Sequence, residues 1–382
     1  MEGINYHNDV TVIGAGWNGL VACKYMLEEG LSVVAIEKRD GIGGVWHYTD
    51  DPSTPSVMKS TCCTSSTTMT EMSDYPIPVE MKEFPHHLDI MDYLESYAEN
   101  FKLMPYVKLN TEVTKVEKEG EMWRVVCSNG DVYTSSFLIV ATGVVQKPNR
   151  ELEETMLKGY SGKVLHASEI KGPIEEYKGK RVLVLGGGET GADICREWLD
   201  DSKFIYWSIP RGQHFFRKYG KTFRNPWTKP QALDKATTRM IYTISHYMRG
   251  KPGLAWGCHW TTGGSLLAYQ GHGISEWKND SPFMHFFTNK CGSILDLIDY
   301  KHLVPKGGIT ECKGKEITFV DGTREEFDLV IMSTGYKVEY PFLPEQYKYE
   351  NVRDLYKFIF DVKDPSLALL VLFDQCLAQL WQ

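Results

Sequence analysis

The sequence predicts an α/β fold of two dinucleotide-binding (Rossmann-like) domains, the second inserted into a discontinuous first. Three observations predict it. A strand, glycine turn, helix and strand open the chain; the same unit returns at about residue 181; and two further apolar strands run out into Thr-Gly. The 382 residues suffice for two domains. With 42% hydrophobic and 24% charged residues, the chain is neither disordered nor fibrous. A net charge of −8 leaves no basic footprint for nucleic acid. The longest apolar stretch, Leu367 to Phe373, is shorter than the roughly 20 residues a membrane helix needs. The polar N-terminus has no signal-peptide core.

Asp9 to Ile13 (DVTVI) reads as a buried strand running into Gly14-Ala15-Gly16-Trp17-Asn18-Gly19, a GxGxxG. Leu20 to Glu29 reads as a helix stopped by Gly30, and Leu31 to Ile36 as a strand ending at Glu37. Gly14 is expected to make the tight turn, Gly16 to let the backbone approach a pyrophosphate, and Gly19 to let helix and strand pack closely. The helix N-terminus offers unpaired N–H groups to phosphate. Glu37, 23 residues past Gly14, stands where a carboxylate accepts hydrogen bonds from ribose hydroxyls. A second glycine cluster, Gly41-Ile42-Gly43-Gly44-Val45-Trp46, follows at once. A long cofactor lying along the domain needs such thin backbone beneath it.

The second unit repeats the plan with different chemistry. Arg181 to Leu185 is a strand leading into Gly186-Gly187-Gly188-Glu189-Thr190-Gly191, and Ala192 to Trp198 continues as a helix. The next strand, Phe204 to Trp207, ends at Ser208, 22 residues past Gly186, with Arg211 and Arg217 beyond it. A hydroxyl with guanidinium groups nearby suits a ribose 2′-phosphate, which a carboxylate would repel. The first cradle is therefore expected to take an unphosphorylated ribose and the second NADPH. Together they imply electron transfer from NADPH to FAD.

Phe137 to Val140 ends in Ala141-Thr142-Gly143, and Phe327 to Met332 in Ser333-Thr334-Gly335-Tyr336; such exits at the C-terminal ends of parallel strands are where cofactors lie. The expected domains are 1–155 with 328–382 for FAD and 160–327 for NADPH, with an aromatic-rich excursion at about 215–290 that reads first as ordinary packing and second as an aromatic lid or substrate wall. Arg124 to Cys127 and Val132 to Ser135, joined at Asn129-Gly130, read as a hairpin between the two domains. The nine cysteines are scattered and odd in number, without a CxxC. That pattern speaks for a reducing compartment and against a disulfide framework or zinc site. Adjacent Cys62 and Cys63 read as free thiols, and the histidines His214, His246, His259, His272 and His285 show no metal-ligand spacing.

On these residues the chain resembles a eukaryotic flavin-containing monooxygenase, over about Asp9 to Leu370. The carriers are Gly14–Gly19, Gly41–Trp46, MSDYPIP (Met72–Pro78), FPHHLDIMDYLESYA (Phe84–Ala98), Ala141–Gly143, Gly186–Gly191 and Ser333–Tyr336. The family's linker fingerprint FxGxxxHxxx[FY] is present in altered form at Tyr160, Gly162 and His166, with Ile170 in the aromatic place. The related Baeyer–Villiger fingerprint ends in Trp-Pro, which Ile170-Lys171 does not supply. The resemblance implies hydride transfer from NADPH to FAD, a flavin hydroperoxide kept in a dry pocket, and oxygenation of a soft nitrogen or sulfur nucleophile of a small molecule. Joined to the motif reading, it gives an expected FAD set of Gly14, Gly16, Gly19, Glu37, Lys38, Gly44, Val45, Trp46, Val113, Ala141, Thr142 and Gly143. The expected NADPH set is Gly186, Gly188, Glu189, Thr190, Gly191, Ser208, Arg211, Arg217 and Thr334.

Two departures stand out. Thr64 occupies the place where the family has an Asn beside the flavin, and it has one donor and a shorter reach. After Asp364 to Leu370 the chain diverges into VLFDQCLAQLWQ. A truncated, catalytically impaired or oxidase-like paralogue with weak flavin retention is therefore the alternative reading. A pyridine nucleotide–disulfide reductase would need a CxxC or CxxxxC against the flavin, and after Gly44 the chain offers in its place only the adjacent pair Cys62-Cys63. The expected partners are an amine or sulfide and dioxygen, in a cytoplasmic setting without the membrane anchor common in the family. Oligomeric state is open, with a homodimer among the options.

Overall fold

In a computed structural model of the chain, the described residues are 3–202, 204–213, 215, 218–220, 231–232, 289, 294, 303–349 and 354–370. The first half runs β1 (Asn5–Ile13), α1 (Trp17–Glu28), β2 (Val33–Ile36), α2 (His87–Asn100), β3 (Val107–Lys108), β4 (Val113–Glu119), β5 (Met122–Cys127) and β6 (Val132–Val140). The second runs β7 (Lys163–His166), β8 (Arg181–Leu185), α3 (Glu189–Trp198), β9 (Phe204–Ser208) and β10 (Leu303–Lys306). It continues with β11 (Ile309–Lys313), β12 (Glu316–Phe319), β13 (Arg324–Glu326), β14 (Leu329–Met332) and β15 (Leu367–Leu369).

The first sheet has the order β3-β2-β1-β6-β5-β4, with β15 also paired to β6. β1 is parallel to β2 and to β6, whereas β5 is antiparallel to both β4 and β6. β6 serves two neighbours on one edge: residues 132–135 pair with β5 and residues 138–140 with β15. The second sheet, β10-β9-β8-β14-β7, is parallel throughout. A separate antiparallel ribbon, β11-β12-β13, precedes β14.

These apolar runs form strands because both faces of each sheet are covered. In the first sheet, Val10, Val12, Val33 and Ala35 join Leu20, Ile90, Leu94 and Tyr97 under α1 and α2. The alternate positions Ile13, Val34 and Ile36 join Trp123, Tyr133, Leu367 and Leu369 on the other face. In the second sheet, Val182, Val184, Ile205 and Trp207 pack against Ala192, Cys195 and Trp198 of α3, and Leu183, Val330 and Met332 against Phe319 and Phe327. That is the period of two expected of strands.

Two expectations are corrected. The strand before Ser333-Thr334-Gly335 does not return to the first domain: β14 lies between β8 and β7 of the second sheet, so the second unit extends past residue 328 to Met332. The apolar run is equally suited to either sheet, and only strand pairing decides. The hairpin at Asn129-Gly130 does not stand between the domains; β5 and β6 belong to the first sheet, and Val132–Val140 is one strand.

Candidate functional site: two nucleotide cradles

Each glycine turn sits at the C-terminal end of a central parallel strand, wedged against the exit of its neighbour. At Gly14 φ is +101°, and a Cβ there would lie 2.6 Å from the Ala141 carbonyl oxygen. At Gly186 φ is +118°, and a Cβ would lie 2.3 Å from the Ser333 carbonyl oxygen. Ala141-Thr142-Gly143 is thus to the first turn what Ser333-Thr334-Gly335 is to the second. Gly19 and Gly191 do the close-packing work expected of them: their Cβ atoms would meet the carbonyl oxygens of Gly14 and Gly186 at 1.9 and 2.5 Å.

Gly16 and Gly188 are the N-caps of α1 and α3, and neither helix has a side-chain cap. The helix dipole favours an anion at both of these N-termini. Around Gly188 a Cβ would meet nothing within 4 Å. This backbone fits a dinucleotide pyrophosphate at both turns.

Glu37 follows β2 directly and is buried at 6% exposure. One carboxylate oxygen accepts from the Ala15 N–H at 2.8 Å and the other from the Arg39 N–H at 2.9 Å, so its charge sits at the first turn. Arg39, which the motif reading passed over, donates from its guanidinium to the Gly44 carbonyl at 2.9 Å. The second glycine cluster is sewn to the first turn by the Gly43 N–H donating to the Ala15 carbonyl at 3.0 Å. Val45 and Trp46 are half-buried, and Trp46 packs on the core below. Lys38 is exposed, and Val113 opens β4 two residues after Thr111, whose N–H donates to the Glu37 carbonyl. Gln146 donates to the Thr142 hydroxyl at 3.0 Å and the Gly143 carbonyl at 2.7 Å.

At the second turn the structure corrects the expectation for Ser208. That residue closes β9, flanked by β8 and β10; it is fully buried, and its hydroxyl donates to the Gly307 carbonyl at 2.6 Å. Placed inside the sheet and spent on backbone, it does not face a 2′-phosphate. Arg211 is exposed on the turn after β9, and that turn packs on the glycines: a Cβ at Gly187 would reach Ile209 at 2.7 Å and Gln213 at 3.2 Å. Arg217 lies outside the described residues, as do most of the aromatic excursion and residues 371–382. Glu189 opens α3, Thr190 is exposed, and the Thr334 hydroxyl donates to the Asn149 carbonyl at 2.5 Å.

The units meet along the loop that carries Thr64. Met58 is buried in the core of the second unit beside residues of α3. Lys171 Nζ donates to the Thr54 carbonyl and the Ser56 hydroxyl, both at 2.8 Å. Lys218 Nζ donates to the Cys63 carbonyl at 3.0 Å, and the Tyr219 ring meets Phe84 edge-on at 5.0 Å. Thr64 is half-buried beside these contacts. Cys62 and Cys63 are free thiols.

His166 of the linker fingerprint is fully buried. The Ser168 N–H donates to its Nδ1 at 3.1 Å, so Nε2 carries the proton and donates to the Gly335 carbonyl at 3.0 Å. Burial holds its pKa below the ordinary value. Glu197 on α3 is the opposite case: burial raises its pKa, despite a hydrogen bond to Ser60, and its Oε2 has no hydrogen-bond partner. Neither Arg39 nor Glu197 belongs to a glycine motif, and nothing in the local sequence marks their contacts.

Two parallel β-sheet cores, each with a glycine turn at the end of a central strand, make a two-domain Rossmann-like fold. The flavin-binding monooxygenase-like family model matches residues 7–247 and 277–380, and the chain belongs to that family. It is 30% identical to flavin-containing monooxygenase 5 of Rattus norvegicus, over 94% of this chain and 68% of that protein. Among solved structures, a flavin-containing monooxygenase from Stenotrophomonas maltophilia superposes with a TM-score of 0.67 at 21% identity, covering 97% of this chain and 92% of the other. Cyclohexanone monooxygenase from Rhodococcus sp. Phi1 bound to NADP⁺ superposes with a TM-score of 0.64 at 16% identity, covering 96% and 80%. The chain is thus a flavin-binding protein of the monooxygenase group. Among the described residues no helix is long and apolar enough to cross a membrane.

Proposed function

We propose that the chain is an NADPH- and FAD-dependent monooxygenase that oxygenates a soft nitrogen or sulfur atom of a small molecule, with FAD on Gly14, Gly16 and Glu37 and NADPH on Gly186, Gly188 and Arg211. The observation that carries this reading is the difference between two turns of one design. A buried carboxylate bonded to the first turn suits ribose hydroxyls and repels a 2′-phosphate. The turn packed on the second glycine motif carries an exposed arginine. When bound, the flavin supplies the redox and oxygen chemistry. The chain's residues bind and orient it, and Thr64 on the loop between the units stands for the hydrogen-bonding group beside it. Nitrogen or sulfur as the target is supported by relatives such as dimethylaniline monooxygenase [N-oxide-forming] 2 of Cavia porcellus and the S-allyl-L-cysteine S-oxygenase fold of Allium sativum.

The test is NADPH consumption by the flavin-loaded protein with and without a tertiary amine or a thioether. The reading requires consumption to rise with substrate and to match N-oxide or sulfoxide formed, one for one. Consumption that releases only hydrogen peroxide and ignores both substrates would establish the oxidase-like alternative.

A further inference from the structure

In both cradles the carbonyl of the middle residue of GxG is held, but by different means. In the first, the Gly43 N–H holds the Ala15 carbonyl at 3.0 Å. In the second, the Gly187 carbonyl accepts from two side chains, Gln213 Nε2 and Asn289 Nδ2, each at 3.0 Å. The preceding Gly186 carbonyl accepts from Trp207 Nε1 at 2.8 Å. Asn289 comes 102 residues after Gly187 and is fully buried. A parallel bridge ties its backbone to Phe215, whose ring meets Trp207 edge-on at 5.5 Å in the core of the second unit.

A trans peptide is planar, so its carbonyl and the N–H that follows point in opposite directions. Holding the Gly187 carbonyl toward Gln213 and Asn289 therefore aims the Gly188 N–H the other way, at the N-terminus of α3. The site of a Gly188 Cβ there is open. A peptide between two glycines has no Cβ on either side to resist rotation. In the first cradle Ala15 supplies one, and the adjoining glycine cluster supplies a backbone donor.

We propose that Gln213 and Asn289 are positioning residues that lock the Gly187–Gly188 peptide so that its N–H faces the pyrophosphate of the nicotinamide dinucleotide. The inference rests on the second cradle taking that dinucleotide. Because NADPH and NADH share the pyrophosphate, the lock serves both equally, whereas Arg211 distinguishes them.

The test uses the FAD-loaded full chain with Gln213→Met, Asn289→Leu and the double variant, measuring dissociation constants for NADPH and NADH together with flavin content. Each single variant keeps one donor and should weaken binding by no more than about threefold; the double should weaken both ligands about tenfold and by the same factor. The limiting flavin-reduction rate at saturating NADPH should stay within about twofold, since a binding contact rather than a transition-state contact is lost. If Asn289→Leu loses flavin, Asn289→Ser in the Gln213→Met background replaces it. A flavin-loaded double variant with unchanged constants, or one that loses NADPH alone, overturns the lock. A wild-type protein that binds neither dinucleotide overturns the proposed function on which it rests.

Discussion

Gly16 and Gly44 press against each other across the first cradle. A Cβ built on Gly16 would lie 3.4 Å from the Cα of Gly44, and one built on Gly44 would lie 3.2 Å from the Cα of Gly16. The second glycine cluster is therefore not simply slack backbone under a long cofactor. It closes on the first turn, and the Gly43 N–H and Arg39 guanidinium hold it there.

Gly16→Val should accordingly cost the flavin. The branched side chain enters both the Gly44 contact and the pyrophosphate path. Flavin absorbance per chain after gel filtration should fall about tenfold or more. A folded variant that stays yellow would refute the FAD assignment.

Arg211→Ala should raise the KM for NADPH by about tenfold while moving that for NADH by less than about twofold, because only NADPH carries a ribose 2′-phosphate. Equal changes for both would remove Arg211 from the phosphate contact.

Thr64→Asn restores the amide that the family resemblance places beside the flavin. More product should form per NADPH consumed, with less peroxide released. An unchanged ratio would mean that the side chain at this position does not touch the reaction.

Glu197→Gln should stabilise the protein at neutral pH. Burial raises the folded-state pKa of Glu197 above its ordinary 4.5, so ionising it there costs stability. That cost grows as pH rises from the unfolded pKa through the folded one and is constant above it. Thermal unfolding should show the variant ahead at pH 7 and the two proteins converging below about pH 4.5. A wild type that is equal or ahead at pH 7 would contradict the assignment of a penalised carboxylate.

His166 has the reverse sign among basic groups. Its folded-state pKa is lowered, by burial first, so the neutral ring's contribution is complete above the ordinary histidine range and is lost as pH falls through the folded value. His166→Leu leaves the Gly335 carbonyl without its Nε2 donor and should cost about 1–3 kcal/mol in denaturant unfolding at pH 7.5. A difference from wild type that did not shrink on acidification would mean that the ring's proton is not the source.

Local order was readable in the residues. Val10, Val12, Val33 and Ala35 alternate with positions that face the other way, and Gly14, Gly19, Gly186 and Gly191 fall where positive φ or the absence of a Cβ is required. Chain-local chemistry also placed Glu37 at its turn. Sheet membership was not readable: Leu329–Met332 is four apolar residues that either sheet could bury, and β14 is assigned by its parallel pairing with β8 and β7. Nor was the direction of a side chain at a strand end. Ser208 has the right spacing after Gly186, yet its hydroxyl turns to Gly307, 99 residues away in sequence.

The sequence alone thus determined that there are two cradles, where their turns lie and which of them carries an acid, because turn geometry and strand period are properties of neighbouring residues. The tertiary structure alone decided which exit strand serves which turn, and which distant groups hold each turn in shape: Arg39 and Gly43 at one, Trp207, Gln213 and Asn289 at the other. Those contacts join residues that covalent geometry leaves independent. Only the burial of each sheet in its own core brings them within hydrogen-bonding distance.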